Sequence, residues 1–134
     1  MSFVPKVVDE GKTVSLLATL STAFTKNNGV KFTSGYLVAA ASGDPTIDFV
    51  ALQTVTTSAA NGDEVLCLRV DPSIVFYATT SATPVQATHV GNKYDISAAG
   101  TIDLGNTTDK CFLVEKIIDA TNKIVEGRFM QSIA

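Results

Sequence analysis

Turn-forming residues cut this chain into short pieces, and that limits what it can fold into. Asn28-Gly29, Ser42-Gly43-Asp44-Pro45, Asn61-Gly62-Asp63, Asp71-Pro72 and Gly105-Asn106 interrupt it at intervals too short for long helices. Glycine supplies positive φ and proline fixes φ near about −65°, so each cluster has a mechanical reason to bend the backbone. Between the turns lie β-prone runs at 30–32, 36–40, 46–55, 65–70, 73–78, 93–96, 111–118 and 123–131. Many short strands with frequent turns indicate a sandwich or barrel. Alternation supports the strand assignments: Ile47, Phe49 and Ala51 are expected on one face, with Asp48 on the other.

Two stretches are less plain. In 14–24, Leu16, Leu17, Leu20 and Phe24 follow a helical spacing, whereas the frequent Thr and Val favour strand. That segment is open between a short helix and a strand. Residues 1–12 read as an extended arm, because Pro5 forbids an early helix and no alternation develops. The expected fold is therefore all-β: a small β-barrel or sandwich of short antiparallel strands with a C-terminal hairpin and at most one short helix. It occupies 13–134 as a single domain behind the arm, a length able to bury a substantial core.

Charge narrows the partners. Only 17% of residues are charged, against roughly 25% in ordinary soluble domains. Thr, Ser, Ala and Asn replace the ions, which suits a surface packed against neighbours. The net charge is −3, and between 32 and 92 the only Lys or Arg is Arg69, set against Asp44, Asp48, Asp63, Glu64 and Asp71. No basic stripe exists to neutralise phosphates or anionic lipid, so neither nucleic acid nor membrane is expected as a partner. The start, Met1-Ser2-Phe3-Val4-Pro5-Lys6, lacks the layout of a secretory signal, and Cys67 and Cys111 sit in apolar runs. Buried, reduced, inert thiols in a protein kept in a cytosol are expected. Asn106-Thr107-Thr108 matches the glycosylation sequon, a match with little meaning without export.

A search for chemistry returns little. His89 is the only histidine, and no serine lies on a nucleophile elbow. One His and two core-like Cys do not make an ordinary zinc site. Asp9-Glu10 and Asp63-Glu64 are the only adjacent acidic pairs, and solvated loops explain both; the scattered glycines form no phosphate loop. Asp44, Asp48 and Asp103 do not form a calcium loop, and no Trp offers a glycan platform. No catalytic residue, metal ligand or cofactor is expected, and the chain reads as a non-enzyme. For assembly, the arm offers Phe3, Val4, Val7 and Val8, which could add an edge or fill a groove on a neighbour.

The C-terminal third carries the pattern V-G-x-x-Y-D-I (Val90 to Ile96), then F-L-V-x-x-I-I-D-x-x-N-x-I-V-x-G-R-F (Phe112 to Phe129). This order resembles small head-associated proteins of tailed bacteriophages, in which a short β domain decorates or stabilises the capsid. The resemblance implies a decoration or cement protein that binds the major capsid protein on the outside of the virion. It also implies self-association as a homotrimer and synthesis in the host cytoplasm. Two other readings stay open: another phage structural component (a tail, neck or fibre module), or a ligand-binding β domain. Within the last hairpin, a uniform register setting Lys116 against Glu126, Ile117 against Val125, Leu113 against Phe129 and Asp119 against Lys123 is expected, because the neighbouring register opposes Glu115 to Glu126. The turn would then be Ala120-Thr121-Asn122, with Asn122 at positive φ.

Overall fold

The computed structural model describes residues 3–6, 10–44, 47–98 and 100–130. In chain order its elements are β1 (Val4–Pro5), a 3-10 turn (Glu10–Lys12), β2 (Thr13–Ala18), β3 (Ala23–Phe24), β4 (Gly29–Thr33), β5 (Tyr36–Ala39), β6 (Phe49–Ala51) and β7 (Val55–Thr56). There follow β8 (Asp63–Arg69), β9 (Phe76–Thr80), the one-turn helix α1 (Gln86–His89), β10 (Lys93–Ala98), β11 (Thr101–Asp103), β12 (Phe112–Asp119) and β13 (Ile124–Phe129). The protein is all-β with one short helix, and β2-β5-β4-β6-β8 close into a five-stranded barrel.

A second closed circuit runs through the other sheet: β9 pairs β11, β11 pairs β10, β10 pairs β12, β12 pairs β13, and β13 returns to β9. Each circuit has five strands, and an odd ring cannot alternate direction all the way round. At least one neighbouring pair must run parallel. That pair is β2–β5 in the barrel, at Ala18↔Leu37, and β9–β11 in the second ring, at Thr79↔Thr101 and Thr80↔Ile102. All other pairings in the two rings are antiparallel.

The segment left open between helix and strand is strand. Val14 and Leu16 pack against the barrel core and Ala18 lies within it, while Leu17 points out and is 47% exposed. The period is two, and the six-residue ladder against β8 decides it. Helix α1 and strand β11 fall outside the β-prone runs read from the sequence, and 46–55 divides into β6 and β7.

Two cores share a wall. Phe24, Val30, Leu37, Phe49, Ala51, Val65 and Cys67 fill the barrel. The other faces of β6 and β8 send Val50 and Leu68 into a larger core with Phe3, Phe76, Phe112 and Phe129. Phe129 lies edge-on to Phe3, Phe76 and Phe112, with ring centres 4.9, 5.3 and 5.0 Å away. Each buried Phe contributes about 1.5–3 kcal/mol by transfer alone, so this cluster is a principal source of stability. Ile47 does not share a face with Phe49 and Ala51, contrary to the alternation. It precedes the strand and lies in the larger core, where Gly29 leaves room for its side chain.

The expected hairpin register holds only at its centre, where Lys116 faces Glu126 and Ile117 faces Val125. Irregularities between Val114 and Lys116 and between Ile117 and Asp119 shift the pairing on either side. Leu113 therefore faces Arg128, Phe112 faces Phe129, and Asp119 faces Ile124. The first bulge keeps Glu115 away from Glu126 and pairs it instead with Arg128, at 2.7 Å. Two bulges thus satisfy both the charge pairing and the Phe112–Phe129 contact, which no uniform register does. Positive φ falls on Lys123 (59°) rather than Asn122. Asn122 donates to the Asp119 carboxylate through its backbone N–H (3.1 Å) and its Nδ2 (2.7 Å), and these bonds hold the Asp119 carboxyl below its usual range.

Candidate functional site

At one end of the barrel the inward-facing rows outrun the interior. Phe32 faces the buried Leu37, and Arg69 faces Phe49, so both share the inward face of their strands. Neither is enclosed. Phe32 is 44% exposed and meets the Phe49 ring edge-on at 5.5 Å and 81°. The Arg69 guanidinium carbon sits 5.8 Å from the centre of the Phe49 ring. With Asp48, Val70 and Asp71 these residues line an open recess of about 400 Å³.

One wall of the recess is braced. Lys12 Nζ donates to Asp71 Oδ2 at 2.7 Å and to Ser73 Oγ at 2.6 Å, and the Ser73 N–H and hydroxyl both donate to Asp71 Oδ1. Lys12 and then Ser73 hold the Asp71 carboxyl down to about 2, so it stays ionised at any ordinary pH. By contrast, the side chains of Asp48 and Arg69 make no hydrogen bond or ion pair among the described residues.

A second feature lies in the C-terminal third. Asp95 is fully buried; its Oδ1 accepts the backbone N–H groups of Asp109 (2.7 Å) and Lys110 (2.8 Å), and its own N–H donates to the Asn106 carbonyl (3.0 Å). Its Oδ2 has no hydrogen-bond partner among the described residues. Asp95 thus clasps the loop that carries Lys110 at φ 53°. His89 closes the short helix on itself: its Nδ1 accepts the Val85 N–H at 2.8 Å, and its ring lies 5.7 Å from Tyr94.

The arm residues proposed for assembly are differently placed. Phe3 is fully buried in the larger core of its own chain, stacked 6.4 Å from Phe112. Val4 is half-buried in β1, paired with Tyr77 of β9. Val7 and Val8 lie outside the described residues. Val4, Tyr77, Ile118 and Ile124 line an open groove of about 260 Å³ whose exposed walls are apolar. Ile118 is 44% exposed there, because the bulge between Val114 and Lys116 shifts the alternation so that Ile117 packs on the larger core and Ile118 points outward.

Cys67 and Cys111 are free thiols, buried in the barrel core and the larger core respectively. Burial pushes both up to about 12. Alkylation of the native protein at pH 8 is therefore expected to be at least about a hundredfold slower than after unfolding, because thiolate is scarce and access is blocked. Rapid native labelling of either cysteine, read by mass spectrometry, would contradict this. Among the described residues, no three His, Cys, Asp or Glu side chains form a group able to hold a metal ion, and no helix is long and apolar enough to cross a membrane. No protein-family model matches the chain, and no curated protein matches its sequence.

The sequence reading passed over Phe32 and Ile118. Phe32 shares a face with the buried Val30, a position that alternation alone would place in the core; only the shortness of the barrel at that edge exposes it. Ile118 lies in an apolar-rich strand, and the bulge between Val114 and Lys116 that turns it outward arises from the distant pairing of Glu115 with Arg128 and Lys116 with Glu126.

Proposed function

We propose that this chain is a non-enzymatic decoration or cement protein of a tailed-phage capsid, attaching to the major capsid protein on the outer shell as a homotrimer. The observation that carries the reading is the apolar groove. It joins Val4, from the arm whose composition suggested assembly, to Ile118 and Ile124, from the segment that resembles phage head proteins. An exposed apolar groove on a chain with few charges is suited to burial against another protein. Burying Ile118 would contribute about 1.5–3 kcal/mol per site before ordering costs, and attachment through three copies multiplies the effect.

The test is to add purified protein to undecorated shells and measure co-sedimentation. The parent should bind in fixed stoichiometry. Ile118→Asp should bind at least about tenfold more weakly while melting as the parent does, since the side chain is exposed. Failure of the parent to bind shells, with binding to tails or necks instead, would assign the chain to another virion part and overturn the proposal.

A further inference from the structure

We propose that the barrel-end recess of Phe32, Asp48, Phe49, Arg69 and Asp71 is a binding site for a neutral pyranose, separate from the groove assigned to shell attachment. Mouths of β-barrels are favoured places for small ligands, and a site of this kind combines an apolar surface with a few fixed polar groups. The composition of the recess narrows the ligand class. Asp48, Asp71 and Arg69 line the recess, and Lys12, outside the lining, offsets Asp71 through its 2.7 Å ion pair, so the formal charges at the site cancel. A small anion would meet two carboxylates, and a small cation would meet Arg69 and compete with Lys12 for Asp71. A wholly apolar ligand would strip water from Asp48 and Arg69, whose side chains have no hydrogen-bond or ion-pair partner among the described residues, and give nothing back.

A neutral sugar ring avoids all three penalties. Its C–H face can lie on the exposed surface of Phe32, its hydroxyls can donate to Asp48 and Asp71, and its hydroxyl oxygens can accept from Arg69. The pieces are held in place before binding. Phe32 rests on Phe49, Arg69 lies beside the Phe49 ring, and Asp71 is fixed by Lys12 and Ser73. The recess, at about 400 Å³, has room for one sugar ring with part of a second.

The experiment is a titration of the full chain with glucose, galactose, mannose and N-acetylglucosamine, followed by ¹H–¹⁵N NMR. At least one sugar should shift the amides of Phe32, Asp48, Phe49, Arg69 and Asp71 and saturate with a Kd on the order of 1 mM. Phe32→Ala and Arg69→Met should each weaken that binding about tenfold or more. Both variants should melt like the parent and bind shells like it, which separates this site from the attachment groove. The proposal is overturned if no sugar shifts these amides at about 100 mM. It is equally overturned if the shifts persist unchanged in Phe32→Ala, or if they map to the Val4–Ile118 groove.

Discussion

Replacing Gly127 by alanine is expected to destabilise the protein by at least about 3 kcal/mol. A Cβ at that position would stand 2.0 Å from the Leu113 carbonyl oxygen and 2.7 Å from Cε1 of Phe112. Neither neighbour can yield easily. The Leu113 carbonyl belongs to β12, and the Phe112 ring is fixed between Phe3 and Phe129. Gly127 faces Val114 on one side and Phe76 on the other, inside the second ring, so the strand cannot swing away without breaking two ladders. A domain of this kind has about 5–15 kcal/mol in total, so a large share would be lost. The melting temperature should fall by about 10 °C or more. Urea unfolding checks it: a loss below about 1 kcal/mol would show that the hairpin relaxes more freely than its packing implies.

Asp95→Ala is expected to cost about 3 kcal/mol, chiefly by orphaning two backbone donors. The Asp109 and Lys110 N–H groups both point at Asp95 Oδ1 in a partly buried setting. An unsatisfied donor of that kind costs about 1–3 kcal/mol, and hydrogen bonds to a charged group are the stronger ones. Asp95→Asn keeps an acceptor for both donors and should lose less than half as much. Lys110 is held at positive φ by this clasp, so its amide and those of 105–109 should exchange faster with solvent in Asp95→Ala than in the parent. Equal stability of the alanine and parent proteins would mean that water replaces the carboxylate without penalty.

Much of the fold was legible in the sequence because β-sheet patterning is local. Turn clusters marked where strands stop, and the runs at 30–32, 36–40, 65–70, 93–96 and 111–118 lie in or closely match β4, β5, β8, β10 and β12. What was not legible depends on contacts between distant residues. The choice of strand over helix in 14–24 rests on a ladder with 63–68. Short β11 exists because β9 and β10 flank it, not because Thr101-Ile102-Asp103 is strongly β-prone. The hairpin register was readable at Lys116–Glu126, where charge decides it, and misread at both ends. There a core aromatic pair and a capped turn override uniform spacing. The candidate sites were the least legible. Phe32 and Ile118 are apolar residues whose exposure follows from where a barrel ends and where a bulge falls.

The burial of Phe3 has a consequence for how the chain is made. All five strands of the barrel lie between Thr13 and Arg69, so this unit has its complete set of partners while later residues are still being translated. For Phe3 that unit supplies only part of the cover, including a backbone bond from its N–H to the Asn27 carbonyl. The rings it touches, Phe112 and Phe129, emerge from the ribosome long after it does. Until they arrive, the Phe3 ring lacks the aromatic part of its native cover, alongside the outward Val50 and Leu68 of the finished barrel. A nascent chain halted before Phe112 therefore presents one apolar wall, and that is where a holding chaperone would find it.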